Sequence, residues 1–513
     1  MKKEIMKCFL RIVSPVHIGC DEVYEPTGFA VNENDGYLTV FDPLEFIAGL
    51  NPADREQFSA ICKKGDIGSI LDVYKFLRNR PVEGRPVQIC TDFQKHYDQV
   101  LSLPRQRVKQ ELNKFTVYRT AYCSRDERPY IPGSTVKGAL RTAYLNMLSD
   151  NGPDYTPYLQ GLRRGGGGRD DKHKKLEQKL LSLDKVPQKE MISKDPFRLV
   201  KVSDFMPVGD ATSKIYYVVN KKKKPSDKDA RGPYQILEVI LPECLFTGEI
   251  RVDAPQREDA VTLPIKLKNI MESVGLFYGN EKNREDHDLT NIGVPVIPSP
   301  GKGSQHMIRI GRHSGAESVT IKRYRDIKIM LGKKGNTFQD HATTLWLASE
   351  FRSPKSNGSL SPFGWTELAV LTSDMETQLR DKEEAFQESR LLLMAEVKKK
   401  EAEKQREKEE KERLRIEEEK RLHEKKLAEE EEKRRLESMT VEERNLYDLK
   451  QPGIAENRVV EIYNTLDDLT QENKKELAQM LKDYWQQRGK WAKKNCSKKQ
   501  WLKVQKIQGI LGE

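Results

Sequence analysis

Apolar positions recur with period two or with helical spacing through the first 370 residues, then thin out sharply after about residue 400. Met6 to Val13 alternates loosely and predicts a strand that Ser14-Pro15 ends, and Tyr37 to Phe41 predicts another. Pro52 to Arg78 carries helical spacing. Ser134 to Leu148 predicts a helix with Ser134 as its N-cap, because Val136, Leu140, Ala143, Tyr144 and Met147 fall on one face. Ile236 to Leu241, Leu245 to Val252, Met307 to Ile310 and Val319 to Ile321 predict further strands. Strands interleaved with helices predict an α+β fold.

Two internal stretches interrupt this pattern as insertions. Gly161 to Arg169 is glycine-rich and predicts a loop without one fixed conformation. Lys221-Lys222-Lys223-Lys224-Pro225-Ser226 predicts a basic turn between strands. Each is either a solubilising loop tip or a contact for nucleic-acid phosphates.

From Ser373 the pattern changes to a long charged helix. Glu396 to Glu437 holds 16 acidic and 16 basic residues. Pairs such as Glu407/Lys411, Glu417/Arg421 and Glu430/Arg434 place the acid first at i,i+4, worth roughly 0.2–0.5 kcal/mol each. Between Ala402 and Leu414 no apolar side chain occurs, so the a/d seam of a coiled coil is missing. A solvated single helix, acting as a spacer, is expected ahead of the alternative, a coiled coil. Val441 to Glu513 then predicts a small helical domain with Leu466, Leu469, Leu477, Leu481 and Trp485 as its apolar stripe. Its end is basic: Arg488, Lys490, Lys493, Lys494, Lys498, Lys499, Lys503 and Lys506 surround Trp491 and Trp501, with no acid between Tyr484 and Leu511. The tryptophans are either core, or a stacking platform for nucleic acid.

Composition adds a partner class. The 513 residues are 33% charged with a net charge of +11, which favours a polyanion. The charges of the long helix cancel, so the excess lies elsewhere. No apolar run approaches the ~20 residues of a membrane span, and Met1 to Lys7 opens charged, without a signal-peptide core. Seven scattered cysteines never form a Cys-x-x-Cys pair, so neither a disulfide framework nor a metal site is expected. The expectation is a cytoplasmic protein without cofactors or membrane contact.

The richest segment is Pro129 to Arg141. Pro132-Gly133 makes a tight turn directly before a helix. The first turn of a helix offers free N–H groups and a positive dipole end to an anion. Lys137 and Arg141 lie one turn apart on one face, and Gly138 permits either close approach of a ligand backbone or helix packing. Ile131-Pro132-Gly133-Ser134-Thr135-Val136-Lys137-Gly138-Ala139-Leu140-Arg141 resembles the signature of RAMP proteins, the repeat-associated RNA-binding subunits of CRISPR systems. Ser14-Pro15-Val16-His17-Ile18-Gly19, Ile310-Gly311-Arg312-His313-Ser314-Gly315 and Ser361-Pro362-Phe363-Gly364-Trp365 are similar to further RAMP elements in the same order. Asp195 to Asp204 is similar to a stretch typical of the fifth, terminal Csm subunits of type III-A complexes. The resemblance covers about residues 1 to 370.

That resemblance implies two ferredoxin-like, RRM-related units with insertions, 1–243 and 244–372, ahead of the long helix at 373–440 and the helical domain at 441–513. It implies a non-catalytic RNA-binding subunit of a type III-A CRISPR ribonucleoprotein. Such a subunit caps the end that holds the 3′ part of the crRNA and supports crRNA maturation and antiviral defence. Its partners would be the crRNA, neighbouring Csm backbone subunits and a recruited trimming nuclease. Gly133, Ser134, Lys137, Gly138, Arg141, His17, Arg312 and His313 would face the RNA. The alternative is a metal-independent RAMP endoribonuclease that processes precursor crRNA. In that case His17 would be the acid/base, with Tyr24 or Lys137 as partner. Asp170 and Asp171 are acidic candidates in the glycine-rich insertion. Leu331-Gly332-Lys333-Lys334-Gly335 lacks P-loop spacing.

Overall fold

In a computed structural model of the chain, the residues described are 3–164, 169–226, 230, 232–257, 259–299, 305–331 and 335–513. They form two compact units, Met1–Leu391 and Leu392–Glu513. The first is α+β, as expected, and is built on two sheets. In the smaller sheet the strands run in the order Gln305–Arg309, Trp365–Val370, Glu4–Ile12, Leu245–Val252, Val200–Val202, and Met206–Val208 also pairs with Leu245–Val252. All of these pairings are antiparallel. The larger sheet is mixed, with Ser213–Lys222 at its centre, antiparallel to Gln235–Ile240 and Thr344–Ser349 and parallel to Arg85–Ile89. Both sheets take strands from either side of residue 243.

The Gly133–Asn151 helix, here the signature helix, packs with the Leu267–Asn291 helix beside the smaller sheet. Val136, Leu140, Ala143 and Tyr144 are buried there with Leu10, Ile250, Ile308 and Trp365. The helical face read from spacing is the face that packs.

Three local expectations need correction. Pro52 to Arg78 is two helices, Pro52–Lys63 and Ile67–Leu77, because Gly65 adopts a positive φ of 63° and Asp66 caps the second through the Ser69 N–H. Val319 to Ile321 is not a strand. The Thr320 hydroxyl bonds back to the Ala316 carbonyl at 2.8 Å, and 3-10 turns occupy Glu317–Val319 and Lys322–Tyr324. Gly161 to Arg164 extends the Thr156–Arg164 helix, and Gly165 to Gly168 lie outside the described residues.

The charged helix runs unbroken from Ser373 to Ser438, as its composition predicts, and its first turns belong to the first unit. Its i,i+4 ion pairs are exposed, and several set the base first, as in Arg415–Glu419 and Lys425–Glu429. The second unit ends in helices around a core of Leu466, Leu477, Leu481, Trp485, Val504 and Ile507. Trp485 is 1% exposed and therefore core, whereas Trp491 and Trp501 are half-buried against it. No helix among the described residues is long and apolar enough to cross a membrane.

Candidate nucleic-acid interface

The start of the signature helix is fixed by the strand-like bridge before it. Ile131 and Phe205 exchange backbone hydrogen bonds of 3.1 and 2.8 Å. The helix then begins at Gly133 with Pro132 as N-cap, two residues before the expected Ser134 cap. The Asp204 carboxylate accepts the Gly133 N–H at 2.7 Å and does the work expected of the serine hydroxyl. Ser134 is left exposed in the first turn. A Cβ on Gly133 would stand 2.3 Å from the Val202 carbonyl oxygen and 2.6 Å from that of Ser203. Glycine is the residue that lets these backbones meet.

Lys137 and Arg141 share a helix face but have different roles. Arg141 grips Asp195 with two bonds of 3.1 and 2.9 Å, reaches Glu177 at 2.5 Å, and lies over the Phe197 ring at 5.0 Å. Its guanidinium is committed within the chain, so it ties the fold and is not free for phosphate. Lys137 makes no hydrogen bond or ion pair among the described residues. Burial pushes its amine down from the ordinary lysine range, and the charges of Lys201 and Arg141 add to this against Asp195. Beside it Gly138 is exposed, and a Cβ there would meet nothing within 4 Å. Packing therefore does not explain this glycine. Lys201, exposed on the Val200–Val202 strand, completes the basic surface. It was missed because only its place in the Asp195–Asp204 stretch hinted at it.

The other segments meet one another through backbone bonds. Gly364 donates to the Pro15 carbonyl at 3.0 Å, Ile310 donates to Gly364 at 2.9 Å, and Arg312 donates to His17 at 2.9 Å. Gly311 has φ +80°, and a Cβ there would lie 2.5 Å from the His17 carbonyl oxygen. Trp365 receives the N–H groups of Val13 and Ser14 at 3.0 Å each, and its indole donates to Glu285 at 2.6 Å. Three separated sequence elements thus form one laced junction.

Within it, His17 is 1% exposed, with Nδ1 2.7 Å from the Glu238 carbonyl oxygen. Burial pushes its pKa down, and Arg312 adds to this. The Tyr24 hydroxyl donates to Glu238 at 2.6 Å and receives Arg85, so it is not a partner of His17. Glu238 also holds Arg85 at 2.7 Å and Ser213 at 2.6 Å in a buried cluster. Arg312 is exposed, with its guanidinium 5.0 Å from the Tyr118 ring centroid. His313, at φ +64°, lies half-buried between Trp346 and Phe363, and burial pushes its pKa down to about 3. Neither histidine ring is displayed on the surface as an RNA contact.

The basic turn is also partly structural. Lys221 and Lys222 end a strand, and Lys223 is buried on Glu317 at 2.6 Å and Asp288 at 3.0 Å. That removes Lys223 from any phosphate contact. The side chains of Asp170 and Asp171, and residues 332–334 of the Leu331–Gly335 run, lie outside the described residues.

The two-sheet fold and the junction laced from three separated glycine-containing elements are the features the RAMP resemblance leads one to expect. The RAMP superfamily pattern matches residues 9–489, and the chain belongs to that superfamily. It is similar to the CRISPR system protein Csm5 of Methanocaldococcus jannaschii, with 27% identity over 203 residues. That match covers 39% of this chain and 42% of the relative, so the chain spans less than half the length of the curated relative it matches. Among solved structures, a chain of a Csm–crRNA–target RNA ternary complex of a type III-A system aligns at 18% identity. It covers 71% of this chain and 100% of that one, with a TM-score of 0.47. Csm5 of T. onnurineus aligns at 19% identity over 70% of this chain and 99% of its own, with a TM-score of 0.41.

Proposed function

We propose that the chain is the terminal, non-catalytic RNA-binding subunit of a type III-A CRISPR ribonucleoprotein. It caps the end that holds the 3′ part of the crRNA and contacts a neighbouring Csm backbone subunit. By this role it supports crRNA maturation and antiviral defence, with trimming done by a recruited nuclease. The observation that carries the reading is the unpartnered Lys137 beside exposed Gly138 and Lys201, with a helix flank open to an approaching sugar-phosphate backbone. A phosphate there would relieve the repulsion between Lys137 and Lys201. Contacts of this kind position RNA without reading sequence. A scaffold role also fits His17, which is buried and held by a backbone carbonyl rather than presented to a substrate.

The test is RNA affinity of the full chain carrying Lys137→Glu with Lys201→Glu, titrated with salt. Each lost phosphate contact should reduce the salt slope by about 0.7 on single-stranded RNA. Unchanged affinity and slope would sink the site. Arg141→Glu is unsuitable as a binding variant, since it breaks the Asp195 and Glu177 ties. Site-specific cuts in a repeat RNA under chelator, lost in His17→Asn, would favour the endoribonuclease and overturn the scaffold reading.

A further inference from the structure

We propose that the second unit carries its own RNA-phosphate surface, formed by Lys493, Lys494, Lys498 and Lys499. This goes beyond the interface on the first unit and does not depend on it. Between Tyr484 and Leu511 the chain has eight cations and no acid. The structure separates them by what they touch. Lys490 pairs with Glu456, and Lys506 pairs with Asp467 at 2.5 Å. Arg488 lies over the Tyr484 ring at 4.4 Å and Lys503 over Tyr463 at 5.2 Å. The other four lysines are exposed and make no hydrogen bond, ion pair or ring contact among the described residues.

These four are also close in the fold. Lys493 and Lys494 lie in the 3-10 turn Lys493–Asn495, and Lys498 and Lys499 open the Lys498–Leu511 helix that Ser497 caps. The first turn of that helix has no acidic residue. Cations at the positive end of a helix are repelled by it, the reverse of the usual placement. The four lysine charges make the site, and the helix end adds to them. An anion relieves both repulsions at once.

The backbone that holds the lysines is anchored. Trp491 and Trp501 flank them in sequence and pack against the core, while Val504 and Ile507 are fully buried beneath the helix. Charge is therefore presented from a built surface. Its chemistry suits phosphate better than protein. Lysine is depleted at protein interfaces, and such interfaces need an apolar centre. Among the described residues from Tyr484 to Leu511, the exposed large apolar side chain is Leu502 alone. Lysine binds phosphate as a point charge without needing a fixed fork geometry.

The experiment uses the full chain in the Lys137→Glu, Lys201→Glu background, so that the first unit's surface does not mask the second. In it, Lys493, Lys494, Lys498 and Lys499 are all changed to Gln, and separately all to Arg. Binding to an unstructured single-stranded RNA, and to a duplex RNA of equal length, is titrated with salt. The Gln variant should lose at least about tenfold in affinity at low salt, and about 3 in salt slope on the single strand, as four lost contacts at ~0.7 each require. The Arg variant should retain both. A larger loss on one RNA assigns the surface to that form. Unchanged slope and affinity for both RNAs overturn the proposal. So does a Gln variant that loses binding to polyglutamate, an acidic-peptide probe, while keeping its RNA slope. Unaltered helicity and unfolding midpoint show that the variant is folded.

Discussion

Gly133 gives its backbone N–H to the Asp204 carboxylate at 2.7 Å, so the positive end of the signature helix already holds an anion from its own chain. A phosphate bound as proposed would instead meet the helix flank, where Gly138 and Lys201 are exposed and the Lys137 amine has no partner among the described residues. The sequence suggested a phosphate seated on the helix end. The site proposed above lies about one turn further along, at Lys137.

Gly138→Ala separates stability from binding at this flank. Nothing lies within 4 Å of the added Cβ, and alanine in a helix interior is favoured over glycine by up to about 1 kcal/mol. The variant should therefore unfold at a higher urea midpoint while holding RNA more weakly, because the methyl group stands where the ligand backbone approaches. Gly133→Ala is the contrast. Its Cβ would overlap two carbonyl oxygens, and stability should fall by about 2–3 kcal/mol or more. A Gly138→Ala protein with unchanged RNA affinity would remove the flank from the interface.

Acid should unfold the first unit in an order set by its histidines. Burial pushes His313 down to about 3 and His96 to about 4, against an unfolded value near 6.5. Between those limits the unfolded chain binds protons that the folded chain refuses, so stability falls as pH drops below 6.5. Each group contributes a slope of up to about 1.4 kcal/mol per pH unit. Burial alone would raise Glu317, but Lys223 and Arg284 hold it down to about 2, so its contribution is lost later, as pH falls from about 4.5 towards 2. Asparagine accepts the positive φ of residue 313 and does not titrate. Urea unfolding of His313→Asn from pH 7 to 4 should show the wild-type slope reduced by about that 1.4 kcal/mol per unit. An unchanged slope would place His313 in water.

What could be read from the sequence follows the range of the interaction. The buried face of the signature helix and the strand Leu245–Val252 were legible, because Val136, Leu140, Ala143 and Tyr144 repeat at local spacing. The long helix was legible from charge alone. Arg141 was misread because its partner Asp195 is 54 residues away and no periodicity links them. The Asp204 cap lies 71 residues from Gly133, for the same reason. Lysines look alike in a sequence. Lys223 is buried on Glu317 and Lys493 is free, a difference that only folding creates. The motifs at 14–19, 310–315 and 361–365 were recognised as an ordered series, but the backbone bonds that lace them could not be inferred from order.

The start of the charged helix is part of the first unit, and this fixes where the chain can be cut. Lys7 pairs with Glu376 at 2.6 Å, and Arg128 takes both Glu383 oxygens at 2.7 and 2.9 Å. Glu383 also accepts the Gly209 N–H at 2.7 Å, and the Arg128 guanidinium lies 4.8 Å from the Phe386 ring centroid. These turns wall a cleft of about 920 Å³ that reaches Asp204, the cap of the signature helix. Truncation after Thr372 removes Glu383 and leaves the Arg128 side chain, 10% exposed, with Asp126 as its remaining ion-pair partner. Losing charged hydrogen bonds of this kind costs roughly 1.5–3 kcal/mol, so the first unit should unfold at a clearly lower temperature. Truncation after Leu391 keeps every one of these contacts and should leave its unfolding midpoint unchanged. Thermal unfolding of the two truncations side by side checks this, and equal midpoints would show that the helix start is merely laid against the unit. Only the longer truncation is then fit to ask what residues 392–513 add. If they carry a second RNA surface, it should assemble with its partners yet bind free RNA with a shallower salt dependence than the full chain.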